Sequence, residues 1–249
     1  NVFAHSDDMP GLLEGVKMIL SDEGIFCFEV QYLGDIIDKK ILGTIFHEHM
    51  IHYSASALKI FLASKDMKIV QIRRTKTQMG SIVVCAAHEG SKYKADENVS
   101  EFLQEEERNG VAGKAWCDSF TDFVESSNKK AQQLITKYKE KQYAIAGYGA
   151  ARSGPMLAIQ LGFDGALQFL LDDHELKCNK YSSYRNLYVK PAQNILNEKV
   201  DVAVILAWIH ARKIIRNNCD YIHQGGRFVT VWPSVEEINR DNYLSYIES

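Results

Sequence analysis

"YAIAGYGAARSG", residues 143–154, runs from an apolar strand through a glycine-bearing turn into residues suited to a helix start. That order lets backbone N–H groups and a helix dipole converge on a phosphate. Gly147 and Gly149 satisfy G-x-G, but the third glycine of G-x-G-x-x-G would fall at Arg152, and the next glycine is Gly154. Asp172 and Asp173 lie about where a ribose-binding acid would. Three readings stay open on these residues: a structural βα turn, a site for the phosphate of a nucleotide at Gly147, Gly149 and Arg152, or a nicotinamide-dinucleotide site.

The sequence downstream supports the same architecture. Apolar runs at 167–173 (LQFLLDD), 200–208 (VDVAVILAW) and 227–232 (RFVTVW) alternate with helical stretches at about 154–161 and 210–222. Near-continuous apolar strands separated by helices predict a parallel sheet covered on both faces, a Rossmann-like domain. Upstream, Trp116, Phe120, Phe123, Val124, Leu134, Ile135 and Tyr138 recur at helical spacing and predict a long amphipathic helix. Residues 89–98 (EGSKYKADEN) lose the apolar pattern and read as a linker, which divides the chain into 1–95 and 96–249.

In the first part, acceptor residues followed by Pro10 open a helix over 6–20, and "IFCFEVQYL" (25–33) reads as a buried strand. Ser54 or Ser56 caps a helix over 54–66, and "MKIVQIRRT" (67–75) with "SIVVCAAH" (81–88) reads as an antiparallel hairpin. "NVFAH" (1–5) reads as the end of a strand entering a loop.

Composition narrows the function classes. With 46% hydrophobic and 24% charged residues the chain is an ordinary globular one, and a net charge of −3 gives no footprint for a nucleic-acid polymer. The longest apolar run, 200–209, is half the length needed to cross a bilayer, so a cytoplasmic protein is expected. The five cysteines are scattered and form no C-x-x-C pair, so they read as buried thiols.

"GTIFHEHMIHYSAS" (43–56) places His47, Glu48, His49 and His52 within six residues. A zinc-protease helix would need H-E-x-x-H, which H-E-H-x-x-H does not supply, although Glu48 and His52 stand four apart. A catalytic base needs one imidazole whose second ring nitrogen is oriented, for instance by a carboxylate such as Glu48. A polar loop beside a helix cap is the third reading.

The order "NVFAH" (1–5), "GIFCFEVQYLGDII" (24–37), "TIFHEHMIHYSASALKIFLASKDMKI" (44–69), "GS" (80–81), "GYGA" (147–150) and "LAW" (206–208) resembles the sugar C-methyltransferases. Those enzymes move a methyl group from S-adenosylmethionine to a ring carbon of a nucleotide-linked 4-keto deoxysugar. The resemblance implies an α/β fold in which the second half of a class I methyltransferase sheet precedes a Rossmann-like parallel-sheet domain. It implies His49 as the base, Glu48 and His5 as partners in proton handling and enolate stabilisation, and Glu29, Tyr32, His47 and Ser81 as substrate-binding residues. It also places the base in a cleft between domains, with the diphosphate of the nucleotide at Gly147, Gly149 and the helix start that includes Arg152.

The chain departs from the family pattern at Phe46, where a hydroxylated aromatic is usual, at Val83, where "TQMGSIV" (77–83) lacks an arginine, and at Ile209, which replaces an asparagine. The resemblance further implies a zinc-binding domain and most of the S-adenosylmethionine site ahead of Asn1, so this chain is expected either to be a fragment or to self-associate through an exposed sheet edge. Two other readings are kept: a nicotinamide-dependent oxidoreductase, and a non-catalytic module that binds a nucleotide sugar.

Overall fold

In the computed structural model, which describes residues 2–111, 113–150, 153–183 and 185–248, the local signals of the first part act as expected. The Asp8 carboxylate accepts the Gly11 amide at 2.9 Å and Pro10 sits in the first turn, starting α1 (Met9–Ile19). After β1 (Phe26–Gln31) and α2 (Leu33–Asp38), Ser54 caps α3 (Ala55–Ala63) by accepting the Ala57 amide at 3.1 Å. β2 (Met67–Thr75) and β3 (Ser81–His88) form the antiparallel hairpin, and β3 also pairs antiparallel with β1, giving the order β1-β3-β2.

Strand alternation then sorts the side chains. Phe28, Val30, Ile72, Ile82, Val84 and Ala86 join Leu13 of α1, Leu58 and Leu62 of α3, and Val99 and Phe102 of α4 (Glu97–Arg108) in one buried core. Residues between them, Cys27 and Glu29 on β1 and Val83 and Cys85 on β3, belong to the opposite face. Cys27 and Cys85 stand directly opposite each other in the ladder and are joined as a disulfide. The sequence reading of five buried thiols is corrected there, because only tertiary pairing makes positions 27 and 85 neighbours.

"NVFAH" is likewise corrected. Phe3–His5 is a 3₁₀ turn rather than a strand end. The Phe3 ring is buried against Phe28 and Tyr53, with centroids 4.3 and 5.8 Å away, and this anchors the turn to the core without a ladder.

The chain groups into two compact units, Asn1–Thr121 and Asp122–Ser249. The division falls inside α5 (Lys114–Glu140), downstream of the 95/96 boundary read from the sequence, since α4 packs on β2 and α3 and stays with the first unit. Within the second unit α5 buries Phe123, Ser127, Ala131, Ile135 and Tyr138, one helical face.

The second unit continues through β4 (Ile145–Tyr148), α6 (Gly154–Gln160), β5 (Leu170–Asp172), β6 (Lys180–Tyr181), β7 (Tyr188–Pro191), β8 (Val202–Ile205), α7 (Ala211–Asn217), α8 (Cys219–His223), β9 (Arg227–Thr230), β10 (Glu236–Ile238) and α9 (Tyr243–Glu248). Its sheet has the order β10-β9-β8-β4-β5-β7-β6, parallel from β9 to β7, with antiparallel strands at both edges. The α/β architecture and the parallel sheet are those expected. The helix expected over 210–222 is broken at Asn218, whose side chain donates to the Ile214 carbonyl at 2.8 Å and so competes with the helical ladder. β6, β7 and β10 are too short to show an apolar period, and the sequence did not reveal them. Among the described residues no helix is long and apolar enough to cross a membrane.

Candidate active site

The histidine segment is held by its backbone. A 3₁₀ turn at Leu42–Thr44 leads into a tight turn in which the His49 amide donates to the Phe46 carbonyl at 2.9 Å. The next amide, of Met50, donates to the Ala4 carbonyl at 3.0 Å and ties the segment to the N-terminal turn. His5 therefore lies beside His49, edge-to-face with ring centroids 5.1 Å apart. Phe46 covers another side at 4.3 Å and His52 a third at 5.9 Å.

His49 is half-buried, and its Nδ1 lies 2.8 Å from the Thr44 carbonyl oxygen. A carbonyl can only accept, so Nδ1 carries the hydrogen and the neutral ring keeps its lone pair on Nε2. The orienting acceptor is thus a main-chain carbonyl, not the Glu48 carboxylate considered from the sequence. Burial depresses the His49 pKa below the usual imidazole value; the bond to Thr44 opposes this, the charge of His5 adds to it, and that of Glu48 opposes it. The outcome favours a neutral ring whose Nε2 is unprotonated and free to accept a proton.

His52 lies deeper in its electrostatics. Both ring nitrogens are closed to solvent without a hydrogen-bond partner among the described residues, and burial, followed by the charge of His49, pushes its pKa down to about 4. The sequence reading weighed His52 only as a metal partner of Glu48. Among the described residues no group of three or more His, Cys, Asp or Glu side chains is arranged to hold a metal ion.

The other expected residues divide into groups. Glu48 follows His47 in the turn, and His47 is exposed with its ring 5.9 Å from that of Phe46. Glu29 accepts the Thr75 hydroxyl at 2.6 Å, which with a further bond from Thr77 holds its carboxyl below the ordinary range against the opposing effect of burial. Ser81 is buried and donates to the Thr77 carbonyl at 3.0 Å, so Glu29 and Ser81 meet at the hairpin end of the sheet rather than in the histidine cluster. Tyr32 is buried against Phe102, with the Arg74 guanidinium 4.9 Å from its ring centre, and burial followed by the charge of Glu106 pushes its pKa far up.

Glu106 is a positioning residue the sequence did not disclose. Buried on α4, it accepts the Ala55 amide at 2.6 Å, the Ser56 amide at 2.9 Å and the Ser56 hydroxyl at 2.5 Å. It fixes the start of α3, where the histidine segment ends.

In the second unit the strand order reverses beside β4, and a cavity of about 450 Å³ opens at the carboxyl ends of β4, β5 and β8. Gly149, Asp173, Lys177, His210 and Lys213 are among its lining residues. Gly149 has φ +107°, and a Cβ there would lie 2.5 Å from that of Ala207. Gly147 is demanded by packing, since a Cβ would meet Leu170 at 2.7 Å and Leu206 at 2.9 Å. Arg152 lies outside the described residues.

The acids at the end of β5 serve the turn. The Asp172 carboxylate accepts the Ala150 amide at 2.7 Å and the His174 amide at 2.9 Å, and pairs with Lys177 at 3.2 Å. One amide of the glycine turn that could meet a phosphate is therefore already bonded within the chain. The Tyr148 hydroxyl donates to Asp173 at 3.3 Å, and burial pushes its pKa up to about 12.

Comparison with known proteins agrees with this architecture. Over 243 residues the chain is 29% identical to the C-methyltransferase NovU of Streptomyces niveus, a match that covers 97% of this chain and 58% of that protein, so the chain spans little more than half the length of this relative. A solved structure, the UDP-D-quinovosamine 4-dehydrogenase of Vibrio fischeri, is 14% identical over 42% of this chain and 84% of its own, with a TM-score of 0.28 that carries no structural argument. The model of the C-methyltransferase C-terminal domain matches residues 76–233, well over half of the 249, and the chain belongs to that family.

Proposed function

We propose that this chain is the substrate-activating portion of an S-adenosylmethionine-dependent C-methyltransferase whose substrate is a nucleotide-linked 4-keto deoxysugar. The observation that carries the proposal is the 2.8 Å bond from His49 Nδ1–H to the Thr44 carbonyl, which leaves the Nε2 lone pair free in a half-buried setting. A C–H bond beside a ketone is weakly acidic because the electron pair left on carbon spreads to oxygen. His49 Nε2 takes the proton, and the pair moves to the carbonyl oxygen as an enolate. His5, beside His49, is placed to donate to that oxygen or to carry the proton onward, and Glu48 moderates the charge that His49 gains.

S-adenosylmethionine supplies the methyl group in this reading. The antiparallel sheet of the first unit offers, among the described residues, no glycine-rich strand–turn–helix for that cofactor. The chemistry assigned to this chain in this reading ends at the enolate. In the second unit Lys213, and Lys177 from its pair with Asp172, give the cavity beside Gly149 cationic groups for a diphosphate, and His210 lines it beside them. Of the two acids that could bind the ribose of a nicotinamide cofactor, Asp172 is committed to the turn amides and Asp173 lines the cavity. The outer edge of β1, which pairs with no strand among the described residues, is the surface through which we propose that another chain associates.

Proton removal needs no methyl donor, so it can be tested on this chain alone. A nucleoside-diphosphate 4-keto-6-deoxyhexose in D₂O should lose the NMR signal of the hydrogen beside its ketone when the chain is added, and His49→Gln should slow the exchange by about 10²–10⁴-fold. No exchange with the unaltered chain, or equal exchange with His49→Gln, refutes the assignment.

A further inference from the structure

The exposed face of the first sheet holds a pair of cysteines that the proposed reaction does not use. Cys27 on β1 and Cys85 on β3 are register partners, with Cα atoms 4.2 Å apart. That is close to the ~4.5 Å of a non-hydrogen-bonded pair, the closer of the two kinds of opposed pair in an antiparallel ladder. The flanking partners, Phe26 with Ala86 and Phe28 with Val84, continue the ladder on both sides, so the backbone holds the two sulfurs together in either redox state. Cys27 is exposed and Cys85 partly exposed, on the face opposite the apolar core. Small thiols and disulfides in solution can therefore reach them. Of the other cysteines, Cys117, Cys178 and Cys219, none is in a disulfide.

We infer that Cys27 and Cys85 form a reversible dithiol–disulfide site, oxidised and reduced by low-molecular-weight disulfides and thiols. Oxidation starts with attack of the Cys27 thiolate on a disulfide such as glutathione disulfide, which releases one glutathione thiolate and leaves a mixed disulfide. The Cys85 thiolate then attacks the Cys27 sulfur and expels the second glutathione. Two protein thiols thus lose two protons and two electrons, and one external disulfide becomes two thiols. The bond ties β1, the outer strand that carries Glu29, to the middle strand of the sheet. This inference does not depend on the proposed methyl transfer.

The test uses the native chain in glutathione buffers graded from reduced to oxidised, quenched with iodoacetamide and read by intact and peptide mass. Reversible loss of alkylation at positions 27 and 85 together, two adducts per chain and at the same redox ratio, is expected, and substitution of Cys117, Cys178 and Cys219 by serine should leave the transition in place. With Cys27→Ser the paired transition should vanish, and Cys85 should take up iodoacetamide or a single glutathione. Alkylation of both cysteines at every ratio would overturn the inference. So would a bond that resists reductant in the native fold, which marks a permanent link, or a stable glutathione adduct on Cys27 in the unaltered chain, which shows that Cys85 does not resolve it.

Discussion

Replacement of His52 by phenylalanine tests whether the buried imidazole beside His49 is as poorly satisfied as its surroundings indicate. Both nitrogens lack a partner among the described residues, and burial, followed by the charge of His49, pushes the ring's pKa down to about 4 from an ordinary 6.5. Where the folded pKa lies below the unfolded one, the unfolded chain binds the extra proton between the two values, so stability is full above about pH 6.5 and is lost as pH falls towards 4. At about 1.36 kcal/mol per pH unit, the ring removes about 2 kcal/mol between pH 6.5 and 5. Phenylalanine has a similar shape and neither titrates nor carries unpaired nitrogens. His52→Phe should therefore be the more stable protein at about pH 7.5 by about 1–3 kcal/mol, the cost of unsatisfied buried polar groups. The margin should widen by about 2 kcal/mol at about pH 5. Urea unfolding followed by circular dichroism at the two pH values reads both quantities, and the depressed titration of His49 is present in both proteins and largely cancels in the difference. Identical pH dependence in parent and variant would refute the burial argument, and a less stable variant at pH 7.5 would show that the nitrogens are satisfied in solution.

Glu106→Ala strips two amides and a hydroxyl at the start of α3 of their shared acceptor and should cost about 3–5 kcal/mol, with Glu106→Gln costing less because one amide oxygen remains to accept; thermal unfolding of the two variants checks the order. Gly149→Ala should destabilise by about 2 kcal/mol or more through its φ of +107° and its collision with Ala207, whereas Gly15→Ala, in α1 with open space around its Cβ, should stabilise by about 0.5–1 kcal/mol. A common sign for these two glycine changes would overturn the backbone argument.

The signals that were legible are local ones. Asp8 with Pro10 and Ser54 mark helix starts within one turn of themselves, and the alternation in β2 and β3 and the apolar runs of β4, β5, β8 and β9 each report the burial of their own segment. What escaped depends on partners distant in sequence. Glu106 reads as one acid among several on α4 until it meets Ala55, and Cys27 meets Cys85 only through the register of β1 on β3. The histidine proposed as base suffered a subtler loss. His49 and Glu48 were visible as residue types, but the group that orients the ring is the Thr44 carbonyl, and a main-chain acceptor leaves no mark in composition.

The glycine turn shows why a matched motif and a ligand site are different claims. G-x-G after a strand is needed whenever the chain must turn with a positive φ and let a neighbouring strand end approach closely, and Gly149 against Ala207 together with Gly147 beneath Leu170 and Leu206 meets that need without any phosphate. A ligand adds a second requirement, donors left over once the turn has satisfied itself, and Asp172 takes the Ala150 amide out of that supply. In the proposed reading, binding energy for a diphosphate in the second unit comes largely from side chains around the turn. Lys213 and His210 are contributed by the segment after β8, at the strand ends where the sheet order reverses. Affinity for a nucleoside diphosphate should accordingly fall with rising salt, as for a site that relies on the lysine charges of Lys213 and Lys177, more steeply than for one built on fixed backbone dipoles.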